Sequence, residues 1–554
     1  MIKQLLLLSF LILLCFFSEA QDISTIKQQK PFTFSGNLDI RGIAYNMQGM
    51  DSRRKPFAWY IFGSPTFTFY GFSVPLSFSL SDQEKTFSQP FNQFGLSPHY
   101  KWITIHLGYR NINFSPYTLA GHTIYGAGVE LKPGNFRFGF MYGRLNKGIE
   151  VDSTTGYFQA ASFTRYGYAA KIGYGSQKNY LDISFLKASD DTTSINQVNI
   201  DSSKRVKPEA NIVGSIVTHI TLSSHLFFDG DLGLSIYTNN VNSSLKLPEL
   251  EKYNFILPVN LSTQKYIAYS AAFGYKQKYF SLKLAYKWVE PGFKSMGSYF
   301  FNSDLEQISI APAFQVLKNR LRFSGNIGLQ RDNVRKQKTA TTNRTVFSGG
   351  LNIDFTKKMG LDISISNYSM NSTPQVSLVN RKYLLTNTSR SYSFSPRYII
   401  AKQNISQMIN GNFTLSQLID ANTTTQSINE IETKMAFVSY SLNFLKTNLS
   451  LNTSVNFIIN TIKSEDTKNY GLNAGINKGV FKNKIQLGTN VSYTLSQSKT
   501  SSNVLNLGLN CQYNISKHNR IYIRWLMLLN KPIEAGSIPS FTENTGEFGY
   551  SFSL

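Results

Sequence analysis

The sequence predicts an all-β protein, a single large antiparallel transmembrane β-barrel of about 26 strands. Apolar and polar residues alternate over segments long enough to cross a membrane as tilted strands, about 9–11 residues each. Short connectors alternate with long ones, as in barrels with tight periplasmic turns and long outer loops. The composition is rich in Phe (42), Tyr (31) and Gly (38) and only 16% charged. It therefore favours a membrane barrel over a soluble secreted β-protein.

The N-terminus has the pattern of a secretory signal peptide over residues 1–20. Lys3 precedes an apolar run over 5–17, and small residues follow at Ser18 and Ala20. No later apolar run is long enough, at about 18 residues, for a transmembrane helix. Alternation begins at Phe32, so we expect the barrel to occupy residues 21–554 without a separate plug domain. The protein is then expected to be an integral protein of a Gram-negative outer membrane.

The strands are expected to follow in pairs from Phe32 onward. The turns predicted to be tight are 70–71, 132–135, 176–179, 223–224, 276–278, 318–320, 357–360, 402–403, 446–447, 478–484 and 516–520. The connectors predicted to be long are 145–161, 188–208, 238–263, 289–305, 368–388 and 529–544. Segment 82–110 fits this order if 88–99 is a strand, 100–101 a turn and 102–110 the next strand. Counts of about 22 or 24 strands stay open because 372–400 and 404–430 alternate weakly.

The clearest alternation lies near the C-terminus, over residues 482–516. Ile485, Leu487 and Val491 share one face of a strand, while Gln486 and Asn490 share the other. This polar face is nearly uncharged, so we interpret it as scaffold and expect the functional residues in the N-terminal two-thirds. The final strand ends on an aromatic alternation that resembles the recognition signal of barrel-assembly machinery: Phe548, Tyr550, Phe552 and Leu554.

The net charge is +24, and much of it falls in the predicted turns. A basic ring there suits the anionic headgroups of a membrane and needs no other ligand. Alternation also directs basic side chains into the lumen, and the candidates are Arg137, Lys171, Lys283, Lys287 and Arg322. Inward acidic residues accompany them, so ion pairs that brace the wall are expected first, and an anion path second. Nucleic acid is not an expected partner.

Two predicted outer loops are unusually apolar and aromatic, and both contain Pro and Gly. Their candidate residues are Phe114, Pro116, Tyr117 and His122 in the first loop, and Glu290, Pro291, Phe293, Tyr299 and Phe300 in the second. Exposed apolar loops are unfavourable, so we expect them to fold into the lumen as a constriction or to dock a partner. Packing on their own strands for stability alone is an equally weighted alternative.

No pattern of catalytic, cofactor-binding or metal-binding residues stands out. The six histidines are scattered without the spacing of a metal site or of a catalytic triad: His99, His106, His122, His219, His225 and His518. We therefore expect no enzyme activity and no cofactor, and a barrel enzyme is only a remote alternative.

The chain resembles large outer-membrane barrels of the Bacteroidota. The resemblance rests on its Phe-, Tyr-, Asn- and Lys-rich style and on residues 109–122 and 290–297. It implies a location and an architecture but no substrate. The leading functional hypothesis is a porin-like or partner-gated channel narrowed by the two loops. The second is a non-transporting subunit of a secretion or assembly complex that docks a lipoprotein, with outer-membrane lipids as partners in both cases.

Overall fold

A computed structural model of the chain describes its residues except 1–28, 83–91, 151–160, 198–204, 246–253, 255, 299–301, 375–385, 423–424, 463–464, 499 and 534–538. The predicted signal peptide lies outside the described residues. So do Tyr299, Phe300 and the start of the predicted strand 88–99.

The described secondary structure is almost entirely strand. In chain order the strands are β1 (Phe32–Ser35), β2 (Asn37–Gln48), β3 (Phe57–Gly63), β4 (Thr66–Phe69), β5 (Phe72–Ser81), β6 (Gln93–Leu96), β7 (His99–Tyr100), β8 (Ile103–Asn111), β9 (Leu119–Ala120), β10 (Thr123–Leu131), β11 (Phe136–Asn146), β12 (Arg165–Gly175), β13 (Asn179–Asp190), β14 (Ala210–Thr221), β15 (Leu226–Thr238) and β16 (Thr263–Lys276). They continue as β17 (Phe280–Val289), β18 (Gly297–Ser298), β19 (Leu305–Val316), β20 (Leu321–Arg331), β21 (Ala340–Asp354), β22 (Met359–Pro374), β23 (Asn387–Ala401), β24 (Ile405–Asp420), β25 (Ile431–Phe444), β26 (Leu449–Ile462), β27 (Glu465–Val480), β28 (Ile485–Gln497), β29 (Ser502–Asn514), β30 (Asn519–Pro532) and β31 (Phe541–Ser553). One short helix, α1 (Gln426–Asn429), precedes β25. No helix among the described residues is long and apolar enough to span a membrane.

Twenty-six of the strands form a closed antiparallel barrel. Closure occurs where β2 pairs with β3 on one side and with β31 on the other, from Asn37 opposite Ser553 to Gln48 opposite Thr542. Strands β1, β4 and β7 prolong β2, β3 and β6 beyond short breaks, and β9 and β18 pair with each other apart from the main sheet. The predicted fold class and strand number are thus confirmed.

Gly36 divides what the alternation predicted as a single first strand. Its φ of +123° is a conformation that side chains rarely adopt, and a Cβ there would lie 2.3 Å from the carbonyl oxygen of Ser64. The glycine therefore permits a break where two strands approach closely. Polarity alternation alone does not report such a break.

The predicted turns lie at strand junctions along one rim, which we call the short-turn rim. The turn predicted at 100–101 lies one residue later, at 101–102. The longer connectors lie at the opposite rim, the loop rim. The predicted connector 368–388 begins later than expected because β22 continues to Pro374, and the weakly alternating segments form β23 and β24. The sequence of the twelve turns at the short-turn rim contains no Asp or Glu, and its basic residues are Lys101, Lys132, Lys178, Lys278, Lys318, Arg320, Lys357, Lys358, Lys402, Lys446, Lys482, Lys484 and Lys517.

The two faces of the wall differ as the alternation predicts. Large apolar side chains such as Ile183, Leu234 and Leu509 are about half exposed on the outer face. Their neighbours along each strand are polar or small and point to the inner face. Exposure of so many apolar residues around a closed ring is unusual for a protein surrounded by water.

Candidate functional site

The two apolar loops meet inside the barrel, although 177 residues separate their contacting positions. Strand β9 of the first loop pairs in parallel with β18 of the second, with Leu119 opposite Gly297 and Ala120 opposite Ser298. The Ser295 hydroxyl donates a hydrogen bond of 2.5 Å to the Thr118 carbonyl. We call residues 112–122 and 290–298 together the inner cap. They form one folded unit.

Aromatic rings form the core of the inner cap. Tyr117 is 2% exposed and Phe293 is 3% exposed, and their ring centroids lie 5.8 Å apart at an interplanar angle of 66°. The cap covers wall side chains that alternate with the outward apolar residues, and these are Met141, Ala169, Leu186, Val213 and Ala268. The cap therefore packs against the inner surface of β11–β16. Each of its large rings contributes substantial apolar burial.

Glycines in the wall make room for the cap. A Cβ on Gly233 of β15 would lie 2.5 Å from the Cβ of Tyr117, and one on Gly139 of β11 would lie 2.8 Å from the ring of Phe114. Both distances are shorter than side chains tolerate, so only glycine allows the rings to approach the strands this closely.

Hydrogen bonds from buried polar side chains fix the position of the second loop. The Met296 amide donates to the Asn211 side-chain oxygen at 3.0 Å, and the Asn211 amide donates to the Ser235 hydroxyl at 2.9 Å. The Ser235 hydroxyl in turn donates to the Lys294 carbonyl at 2.7 Å. Buried polar groups with satisfied hydrogen bonds specify one arrangement, so the loop is held in a single position.

An ionic cluster joins the cap to the loop rim. Arg165 donates to Asp190 at 2.7 and 3.0 Å and to Glu209 at 3.0 Å. Lys294 of the cap donates to the same Glu209 at 2.9 Å and to the Tyr237 hydroxyl at 2.7 Å. Burial opposes ionisation of Glu209, but the hydrogen bonds from Tyr237 and Lys294 hold its pKa below the usual range. The carboxylate is thus charged at neutral pH.

A third loop, 332–339, contacts the second. Glu290 accepts a hydrogen bond of 2.7 Å from the Ile267 amide and forms an ion pair with Arg335. The Lys338 ammonium lies 2.5 Å from a carboxylate oxygen of Asp304. These contacts anchor both ends of the second loop.

The predicted loop residues differ in burial. Phe114, Tyr117, His122, Glu290 and Phe293 are buried. Pro116 is exposed and Pro291 is half-buried. Burial lowers the pKa of His122 to about 4, so this imidazole is neutral at physiological pH and adds no charge to the cap.

Each predicted lumenal basic residue lies beside an acidic or aromatic side chain. Three are in ion pairs: Arg137 with Asp182 at 3.0 Å, Lys283 with Asp229 at 3.0 Å, and Arg322 with Asp354 at 3.1 Å. The Lys171 ammonium lies 5.1 Å from the centroid of the Phe114 ring. Lys287 lines a cavity of about 390 Å³ together with Asp231 and Pro116 of the cap. These positions favour bracing of the wall.

The wall formed by β28 and β29 is different. Its inner face carries uncharged amides and hydroxyls, with Asn506 donating to the Ser492 hydroxyl at 3.1 Å. Its outer face exposes Leu487, Tyr493 and Leu509. The structure thus confirms the alternation predicted for these two strands.

Sequence reasoning missed several residues that hold the cap, in particular Asn211, Glu209, Arg335 and Lys338. Nothing in their local sequence distinguishes them, because their contacts join segments far apart in the chain. Among the described residues, no group of three or more His, Cys, Asp or Glu side chains is arranged to hold a metal ion.

No family model matches the chain, and no curated protein matches it in sequence. Among solved structures it is similar to the copper transporter OprC, with 8% identity over 95% of this chain and 81% of that one and a TM-score of 0.41. It is also similar to the translocation pore of the P pilus usher PapC, with 10% identity over 94% and 99% of the two chains and a TM-score of 0.39. A third similar structure is Acinetobacter baumannii OccAB3, with 11% identity over 70% and 99% and a TM-score of 0.30. Similarities this low carry no functional argument.

Proposed function

We propose that the protein is an outer-membrane channel whose path runs beside the uncharged wall, opposite the inner cap. The observation that carries the proposal is the closed ring of 26 strands with an apolar outer face and a polar inner face. Lipid is the environment that such an outer face requires. Barrels of about 16–18 strands already enclose aqueous channels, so a larger ring has room for both a cap and a path.

The inner cap narrows this channel from one side. It lies on β11–β16, whereas the inner face of β28 and β29 carries small polar side chains. The lumenal cations Arg137, Lys283 and Arg322 are compensated by carboxylates. These three cations therefore give the channel little selectivity for anions. The Bacteroidota type of barrel remains a prediction from the sequence.

The alternative is a non-transporting subunit that docks a lipoprotein through the same loops. Burial argues against it for the cap residues described, because Tyr117 and Phe293 contact each other and the wall. A docking residue has to be accessible, and aromatic rings make good anchors only when they enter a partner's pocket.

Liposome swelling tests the proposal. Liposomes that contain the purified protein should swell in isotonic solutions of neutral sugars, with rates that fall as sugar size increases and with no swelling in protein-free liposomes. A fully folded protein that admits no sugar, and that co-purifies with a lipoprotein, would instead support the docking alternative.

A further inference from the structure

The short-turn rim contains a second candidate site, far from the inner cap along the chain. A pocket of about 750 Å³ lies between the turns at 481–484 and 515–518 and the end of β31. Its charged lining is entirely basic and consists of Lys482, Lys484, Lys517 and Arg520, with His518 beside them. We call it the basic pocket.

The charge of the basic pocket is uncompensated, unlike that of several basic residues on the inner face of the wall. Arg397 pairs with Asp354 and Asp362, and Arg137 pairs with Asp182. In contrast, no carboxylate of the described residues lies within 4 Å of the pocket's Lys and Arg side chains, and none lines the pocket. Clustered like charges destabilise a fold unless an anion neutralises them.

The pocket opens toward the lumen. Gln486, Gln512 and Asn514 line it from the inner face of β28 and β29, while Leu487 and Tyr513 are exposed on the outer face. The amide part of the lining is therefore on the side of the wall that faces away from lipid. The sequence predicted these turn residues as part of a basic ring at the membrane surface, and the amide lining is what distinguishes this cluster within that ring.

Hydrogen bonds hold the lining in place. The Asn514 side-chain amide donates to the Asn483 carbonyl at 3.0 Å, and the Gln512 amide donates to the Asn514 side-chain oxygen at 3.1 Å. The Asn514 backbone amide donates to the Lys484 carbonyl at 2.7 Å. The backbones of the two turns are thus tied together, so the residues that carry the cations stay close in the absence of an anion.

We propose that the basic pocket binds an acidic peptide segment of a protein on the short-turn side of the barrel. Several carboxylates on one segment complement the charge of several clustered cations. Electrostatic attraction between the two raises the rate at which the peptide associates with the pocket. The Gln and Asn side chains supply donors and acceptors for a peptide backbone. A volume of about 750 Å³ is in the range of sites for ligands of this size. Binding is independent of whether the barrel conducts.

Fluorescence anisotropy of a labelled hexaglutamate peptide with the detergent-solubilised full-length protein tests the proposal. We expect saturable binding that weakens with added salt and that falls by about tenfold or more in Lys482→Gln/Lys484→Gln/Lys517→Gln. A matched control is Lys357→Gln/Lys358→Gln/Lys402→Gln, which removes the same charge from another part of the rim and should change binding less than about twofold.

Several results would overturn the proposal. One is an equal loss of peptide binding in both triple variants, which would mean that the peptide responds only to the net charge of the rim. Another is no binding of hexaglutamate at low salt. A third is that tripolyphosphate binds the pocket more tightly than the peptide and displaces it. This result would assign the site to a free phosphate ligand.

Discussion

The Tyr117→Ala/Phe293→Ala variant is expected to release the inner cap from the wall while the barrel stays folded. Both rings are almost fully buried and contact each other, and removal of a buried aromatic ring costs about 3–5 kcal/mol. The cap amides should then lose hydrogen-exchange protection by about 100-fold or more, since 1.4 kcal/mol corresponds to tenfold. Amides of β23–β29 should be unchanged.

Two controls separate release of the cap from general instability. Pro116→Ala changes an exposed residue of the same loop and should leave protection of the cap unchanged. Gly233→Ala places a Cβ 2.5 Å from the Tyr117 Cβ, whereas Gly214→Ala meets nothing within 4 Å. We expect only the former to loosen the cap. Unchanged protection in both the double alanine variant and Gly233→Ala would contradict the packing described.

The Arg165→Met variant is expected to destabilise the protein by about 3–5 kcal/mol at neutral pH. Its guanidinium is the partner of both Asp190 and Glu209, and the Asp190 side chain is 4% exposed. Loss of the cation leaves the buried Asp190 carboxylate without a cationic partner and leaves Glu209 with Lys294 alone. The measurement is urea unfolding of the protein in detergent, followed by tryptophan fluorescence.

The pH dependence of this effect follows from the lowered pKa of Glu209. A carboxylate whose pKa is lowered by folding stabilises the protein above its unfolded pKa, and this contribution is lost as the pH falls through the folded pKa. The difference between Arg165→Met and the unmodified protein should therefore shrink in acid. Lys468→Met, which removes a half-exposed partner of Asp466 at 3.8 Å, should cost less than about 1 kcal/mol at neutral pH. Equal costs for both variants would contradict the account.

The sequence predicted the barrel well because its wall follows one local rule. Every strand separates an apolar environment from a polar one, so residues such as Leu487 and Gln486 reveal their face by position alone. Tight turns also depend on local sequence, so the turns at 132–135 and 402–403 were predictable. Gly36 broke the first strand through a close approach to Ser64, a contact between segments that alternation does not encode.

The inner cap was predictable only in part. The apolar character of Phe114, Tyr117 and Phe293 predicted that both loops avoid water, but not that they pair with each other through β9 and β18. Their placement depends on Asn211 and on Gly233, which lie in strands and have no unusual local sequence. The role of the cap as a constriction remains a prediction.

The placement of charged side chains was also predicted in part. Alternation placed Arg137 and Lys283 on the inner face together with acidic residues, and bracing by ion pairs was the first expectation. The difference between compensated and uncompensated cations depends on which strands are neighbours. For that reason the interpretation of 482–516 as scaffold alone omitted the basic pocket formed with the turn at 515–518.

Single-channel recording in planar lipid bilayers tests the central claim most directly. The purified protein should give discrete open steps, and Tyr117→Ala/Phe293→Ala should give larger steps because the cap no longer narrows the lumen. Bilayers that contain the Pro116→Ala variant should show conductance steps of the same size as those of the unmodified protein. Bilayers that stay silent with the folded, inserted protein and with the double alanine variant would contradict the claim that this barrel is a channel.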